Sequence, residues 1–74
     1  MSTIQLDLAG LNCPLPALKT AKVLEALKPG DWLEVLCTDP MSAIDIPHLI
    51  RQTGDMVEIK EHSEKQIVFL IQKQ

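Results

Sequence analysis

The sequence has no long apolar run, and nothing in it approaches the roughly 20 consecutive apolar residues that a membrane-spanning helix requires. Its start, Met1-Ser2-Thr3-Ile4-Gln5-Leu6-Asp7-Leu8, has neither a basic segment nor an apolar stretch of leader length. The expected location is therefore the cytoplasm, with no membrane contact. Aromatics make up only 3% of the chain, and seven basic residues face ten acidic ones for a formal charge of −3. Nucleic-acid surfaces need dense Lys and Arg to displace counterions, with aromatics for stacking, so no direct nucleic-acid binding is expected. The charge instead suits a protein that docks on basic partner surfaces. Cys13 and Cys37 are the only cysteines, too few for a disulfide framework, and in a reducing compartment both are thiols. His48 and His62 share no ligand spacing with each other or with the cysteines, whereas zinc wants three or four such groups. They read as solvated surface residues, and neither a metal nor a cofactor is expected.

What remains is 74 residues, 46% hydrophobic and 23% charged, the profile of a globular domain. A domain of this size buries only about 60% of the surface of its unfolded chain, so a deep substrate cavity is not expected. The whole span 1–74 reads as a single domain, without repeats, linkers or low-complexity tracts, and a monomer is the expected state.

Ile4, Leu6 and Leu8 alternate with polar residues, the period of a half-buried strand. From Pro14 to Lys28, Ala17, Leu18, Ala21, Leu24 and Leu27 fall three and four apart, with Lys19, Lys22, Glu25 and Lys28 opposite. That spacing predicts an amphipathic helix. Pro29-Gly30-Asp31 turns the chain into a second strand, Trp32 to Thr38. Asp39-Pro40 opens another turn. Ser42 to Thr53 is helical, but Pro47 argues for a loose turn over Pro40–Ile44, with Asp45 as N-cap and Gly54 as the left-handed C-cap residue. Met56 to His62 and Gln66 to Gln72 form a hairpin around Ser63-Glu64-Lys65.

The order is β-α-β-α-β-β. The second and fourth strands are apolar on both faces, as central strands are, which predicts the spatial order 1-2-4-3 with strand four antiparallel. Right-handed crossovers put both helices on one face, giving a two-layer α/β sandwich. The other face, with Trp32, Leu36, Val68 and Leu70, is partly apolar and available for interaction.

The chemically informative segment is Gly10-Leu11-Asn12-Cys13-Pro14-Leu15-Pro16. Cys13 falls between the first strand and the first helix, where a helix N-terminus offers partial positive charge to an anionic sulfur. A persulfide is more acidic than a thiol and gains more from that field. Pro14 and Pro16, placed at the first and third helical positions, lose no intrahelical bond and stiffen the turn. They also remove two N–H donors, leaving chiefly the Leu15 amide and the dipole for the sulfur. The thiol is thus accessible and moderately activated. No base stands near it in sequence, although folding could supply one, so a handling role in which partners bring the acid–base groups fits best.

This segment resembles the G-x-x-C-P-x-P signature of the TusA/SirA-like sulfur carriers. Thr38-Asp39-Pro40 followed by Asp45-Ile46-Pro47 is similar to that family's second marker, and Lys28-Pro29-Gly30-Asp31 to its helix-to-strand turn. The resemblance spans essentially the whole chain. It implies that Cys13 accepts sulfane sulfur from a cysteine desulfurase or rhodanese and holds it as a persulfide. The sulfur then passes to an acceptor sulfurtransferase, with Cys13 acting in a carrier rather than in an autonomous enzyme. Family pathways include tRNA 2-thiouridine formation, molybdenum-cofactor sulfur supply and sulfur oxidation. Some carriers have Arg before the cysteine and an acidic or amide residue between the prolines. Asn12 and Leu15 stand here instead, making the surroundings of Cys13 less polar.

Asn12, Leu15, Lys19 and Asp45 are candidate partner-surface residues, with Lys22 beside Lys19 on the helix. Asp39 and Asp45 read most simply as caps, not as acid–base groups. Cys37 shares the inward phase of Leu33 and Val35, which favours inert core over a resolving thiol. Trp32 serves two readings, a docking anchor or a cover for the sheet. Three other functions compete with sulfur relay. A non-catalytic interaction or regulatory domain would tolerate Cys13→Ala, a thiol–disulfide oxidoreductase would need a second nearby cysteine, and an RNA-binding domain would need the opposite charge.

Overall fold

The computed structural model describes residues 3–74; Met1 and Ser2, part of the leader reading and of the 1–74 span, lie outside it. The elements are β1 (Thr3–Leu8), α1 (Leu15–Ala26), β2 (Trp32–Cys37), α2 (Ser42–Thr53), β3 (Met56–His62) and β4 (Ile67–Gln72). The sheet order is β1-β2-β4-β3, with β1 parallel to β2 and β4 antiparallel to both its neighbours. This is the topology expected from the strand pattern.

Side chains alternate across the two central strands. Leu33, Val35 and Cys37 of β2 and Ile67, Phe69 and Ile71 of β4 point inward, and all are buried. They pack with Leu24 of α1 and with Ile46 and Ile50 of α2 in one core. Each such apolar side chain contributes about 1.5–3 kcal/mol on full burial. The opposite face keeps Trp32, Leu36, Val68 and Leu70 only half-buried. A groove there is lined by Gln5, Asp7, Glu34, Leu36, Gln66 and Val68.

The first helix differs from its expected form in phase and start. Its buried line runs through Pro16, Thr20 and Leu24, while Leu18 is 60% exposed. The apolar spacing had put Leu18 in the core. The helix is instead rotated so that the small side chains of Pro16 and Thr20 are buried. Its first residue is Leu15, so Pro14 takes the cap position and Pro16 the second helical one. The Leu18 amide makes the first helical bond, to the Pro14 carbonyl at 3.1 Å, and neither proline removes a bond the helix would have had. At the other end the helix stops at Ala26, ahead of Lys28-Pro29.

The second helix also departs from expectation. It is continuous from Ser42, with Asp45 in the first turn rather than at the cap, and Pro47 lies inside it. The first turn is assembled without help from Pro47. The Asp39 carbonyl accepts the Ser42 amide at 3.0 Å, and the Asp39 carboxylate accepts the Met41 amide at 3.1 Å. Tight bonds from Ala43 to Pro40 and from Ile44 to Met41 complete it. Gly54 ends the helix in the left-handed region (φ 81°), as anticipated. In β3 the register with β4 slips between Ile59 and Glu61, setting Lys60 outside the ladder. The Lys60 ammonium reaches Glu34 at 2.9 Å.

Candidate functional site

Because β1 and β2 are parallel, the loops that follow them leave the same edge of the sheet. The first loop carries Cys13 and the second carries Thr38, Asp39 and Pro40. The second clasps the first. Gly10 adopts φ +84°, a conformation natural to glycine, and donates its amide to the Thr38 hydroxyl at 2.8 Å. The Cys13 amide donates to Asp39 Oδ2. Since Asp39 Oδ1 holds the start of α2, one carboxylate fixes both loops. Asp45, on the first turn of α2, then accepts a hydrogen bond from Cys13 Sγ at 2.8 Å.

Cys13 is exposed at the surface. Its surroundings oppose the expected activation. The S–H···Oδ2 bond to Asp45 stabilises the protonated thiol most, partial desolvation adds to this, and the charges of Asp45 and Asp39 add further; together they raise its pKa above the ordinary cysteine range. Nor is the Leu15 amide free for the sulfur, because it donates to the Asn12 carbonyl at 2.9 Å. Sulfur here has a carboxylate neighbour in place of the anticipated amide.

Of the other candidates, Asn12, Pro14, Leu15, Lys19 and Lys22 are exposed around or beyond Cys13, and Pro16 is buried beneath it. Asp45 is half-buried. Cys37 is 0% exposed within the core. Burial pushes its thiol up, the Ser42 hydroxyl partly opposes this, and the Asp39 charge adds to the rise. It offers no surface to a partner. Trp32 lies half-buried on the open sheet face, away from the Cys13 loop. His48 bonds Gln52 at 3.2 Å, and His62 is exposed at the end of β3. The sequence reading missed Thr38 as a brace, the Asp39 grip on Cys13, and Asp45 as the sulfur's partner. A signal was there: two parallel strands place their following loops side by side.

Comparison with known proteins fits this geometry. The family model for sulfurtransferase TusA matches residues 4–73. The chain belongs to the TusA family. A sulfur carrier protein TusA of Allochromatium vinosum is 46% identical over 70 residues, covering 93% of this chain and 91% of the relative. A Neisseria meningitidis relative is 39% identical over 71 residues, covering 96% of this chain and 93% of its own. The crystal structure of a SirA-like protein from Desulfitobacterium hafniense superposes with a TM-score of 0.79 at 27% identity, covering 97% and 96% of the two chains. In this chain Asp39 and Asp45 hold Cys13 directly, and Thr38 braces its loop through Gly10.

Proposed function

We propose that this chain is a sulfur carrier that holds sulfane sulfur as a persulfide on Cys13. The observation that carries the reading is the placement of Cys13. Its sulfur stands exposed on a loop fixed through both its backbone and its side chain. Such a group is suited to meeting another protein.

In loading, the Cys13 thiol gives up its proton, to the adjacent carboxylate or to water. The thiolate attacks the outer sulfur of a donor persulfide. A new S–S bond forms on Cys13, the donor's S–S bond breaks, and the donor leaves as a thiolate. One neutral sulfur atom changes hands without net oxidation. Delivery is the same exchange with Cys13 as the leaving group. The persulfide is more acidic than the thiol, so it ionises more readily beside the same carboxylates.

A cysteine desulfurase or a rhodanese is the donor in this reading, and an acceptor sulfurtransferase the recipient, in the cytoplasm, where thiols stay reduced. The supply serves tRNA 2-thiolation, cofactor sulfuration or sulfur oxidation. Intact-mass measurement after incubation with a desulfurase and cysteine, or with a rhodanese and thiosulfate, tests the proposal. Gain of one sulfur atom, abolished by Cys13→Ala, is expected. Failure to load from either donor removes it, and retained biological activity in Cys13→Ala would favour an interaction domain.

A further inference from the structure

Asp39 and Asp45 both contact Cys13, one at its amide and the other at its sulfur. Among the described residues neither carboxylate forms an ion pair, and the salt bridge Lys60–Glu34 lies elsewhere, across the open sheet face. Negative charge beside the sulfur is therefore left without a cation from the chain itself. It also works against loading, because an attacking sulfur must be a thiolate.

Apolar side chains stand around this acidic centre. Leu15 and Leu18 lie on successive turns of α1, and Met41 and Ile44 on the first turn of α2. All four are exposed, Leu18 at 60% and Ile44 at 65%. The Cys13–Asp45 bond joins the starts of the two helices, which brings the exposed pair on each helix start to the same end of the fold. An acidic centre with an apolar border is complementary to a protein surface that presents a cation among apolar side chains.

We propose that Asp39 and Asp45 form a charge gate on Cys13, opened by an Arg or Lys that a partner protein seats between them while its apolar surface rests on Leu15, Leu18, Met41 and Ile44. This deepens the carrier reading and rests on it. The incoming cation takes over the Asp45 carboxylate, the S–H···O bond is lost, and the thiol proton passes to water. Sulfur exchange then proceeds as above, with the same bonds formed and broken. Sulfur transfer is coupled to correct docking, and free small disulfides meet a closed gate.

The test uses the full chain and short Leu-X-Cys-Leu peptides activated as 2-pyridyl disulfides, with X as Arg, its neutral isostere citrulline, or Glu. Cys13 attacks the peptide sulfur and releases pyridine-2-thione, whose absorbance gives the rate. At low salt the Arg peptide should react roughly tenfold faster than the citrulline peptide, with Glu slower still, the scale expected for a few partly screened charge contacts at a surface. Asp45→Asn should collapse the ranking, and Asp45→Glu should restore it. Equal rates for the Arg and citrulline peptides, or a ranking unchanged in Asp45→Asn, overturn the gate. Ile44→Ser should slow loading from rhodanese several-fold, and an unaltered rhodanese rate overturns the apolar seat. If the chain never loads sulfur, the persulfide reading fails in the mass measurement, whatever the peptide ranking.

Discussion

The Thr38 hydroxyl accepts the Gly10 amide at 2.8 Å, tying the end of one strand to the turn that begins the cysteine loop. Residues 28 positions apart in the chain are joined at the point where Cys13 is aimed. Thr38→Val keeps the shape and removes the acceptor. We expect a loss of about 0.5–1.5 kcal/mol in urea unfolding, the usual net worth of such a bond. Sulfur loading should slow as well, since the loop is no longer held at that end.

The Asp45 carboxylate stabilises the neutral form of Cys13, so its pKa rises and less thiolate is present at neutral pH than for a free cysteine. Alkylation by iodoacetamide should therefore show a pH midpoint above that of a free cysteine. Asp45→Asn removes both the acceptor and the charge, lowering the midpoint and speeding alkylation at neutral pH. A wild-type midpoint below that of free cysteine would contradict the assigned hydrogen bond.

Cys37 is buried, and burial raises its pKa further. Under native conditions only Cys13 should alkylate, with Cys37 reacting after denaturation. Cys37→Ala should load sulfur normally, at a stability cost of about 1 kcal/mol for the lost sulfur contacts. Impaired loading in a folded Cys37→Ala protein would bring the second thiol into the relay.

Thr20 is fully buried, and among the described residues its hydroxyl has no hydrogen-bond partner. Thr20→Val keeps the branched shape and deletes an unsatisfied group, so stability should rise by about 1 kcal/mol. Thermal unfolding measures this directly. A fall in Tm would mean that the hydroxyl is satisfied by a bound water.

Much of the fold was legible because two periods in the sequence differ clearly. Alternation marked β1 and β3, and doubly apolar runs marked the central β2 and β4, so strand order followed. The phase of α1 was harder to read. Leu18 is more hydrophobic than Thr20, yet the buried side of the helix is the one that carries Pro16 and Thr20. A helix stripe with residues on both borders can rotate by one position when smaller side chains fit the contact better. The start of α2 is not legible from Pro47 alone, because Asp39 and a tight first turn support the helix from outside. Cys13 was legible from its own neighbours. Its carboxylate partner was not, since Asp45 lies 32 residues onward and reaches the sulfur only once β1 and β2 pair in parallel.

The slip in β3 has a consequence for crowding. An outermost strand exposes unused amide and carbonyl groups, and a straight one invites another copy to extend the sheet. Here the strand bends where Lys60 leaves the ladder, and Glu58, Lys60 and Glu61 line its exposed length. Stacking copies would have to follow the kink and bury those charges. That edge resists the addition of a further strand from another copy, which leaves β1 as the straight border of the sheet.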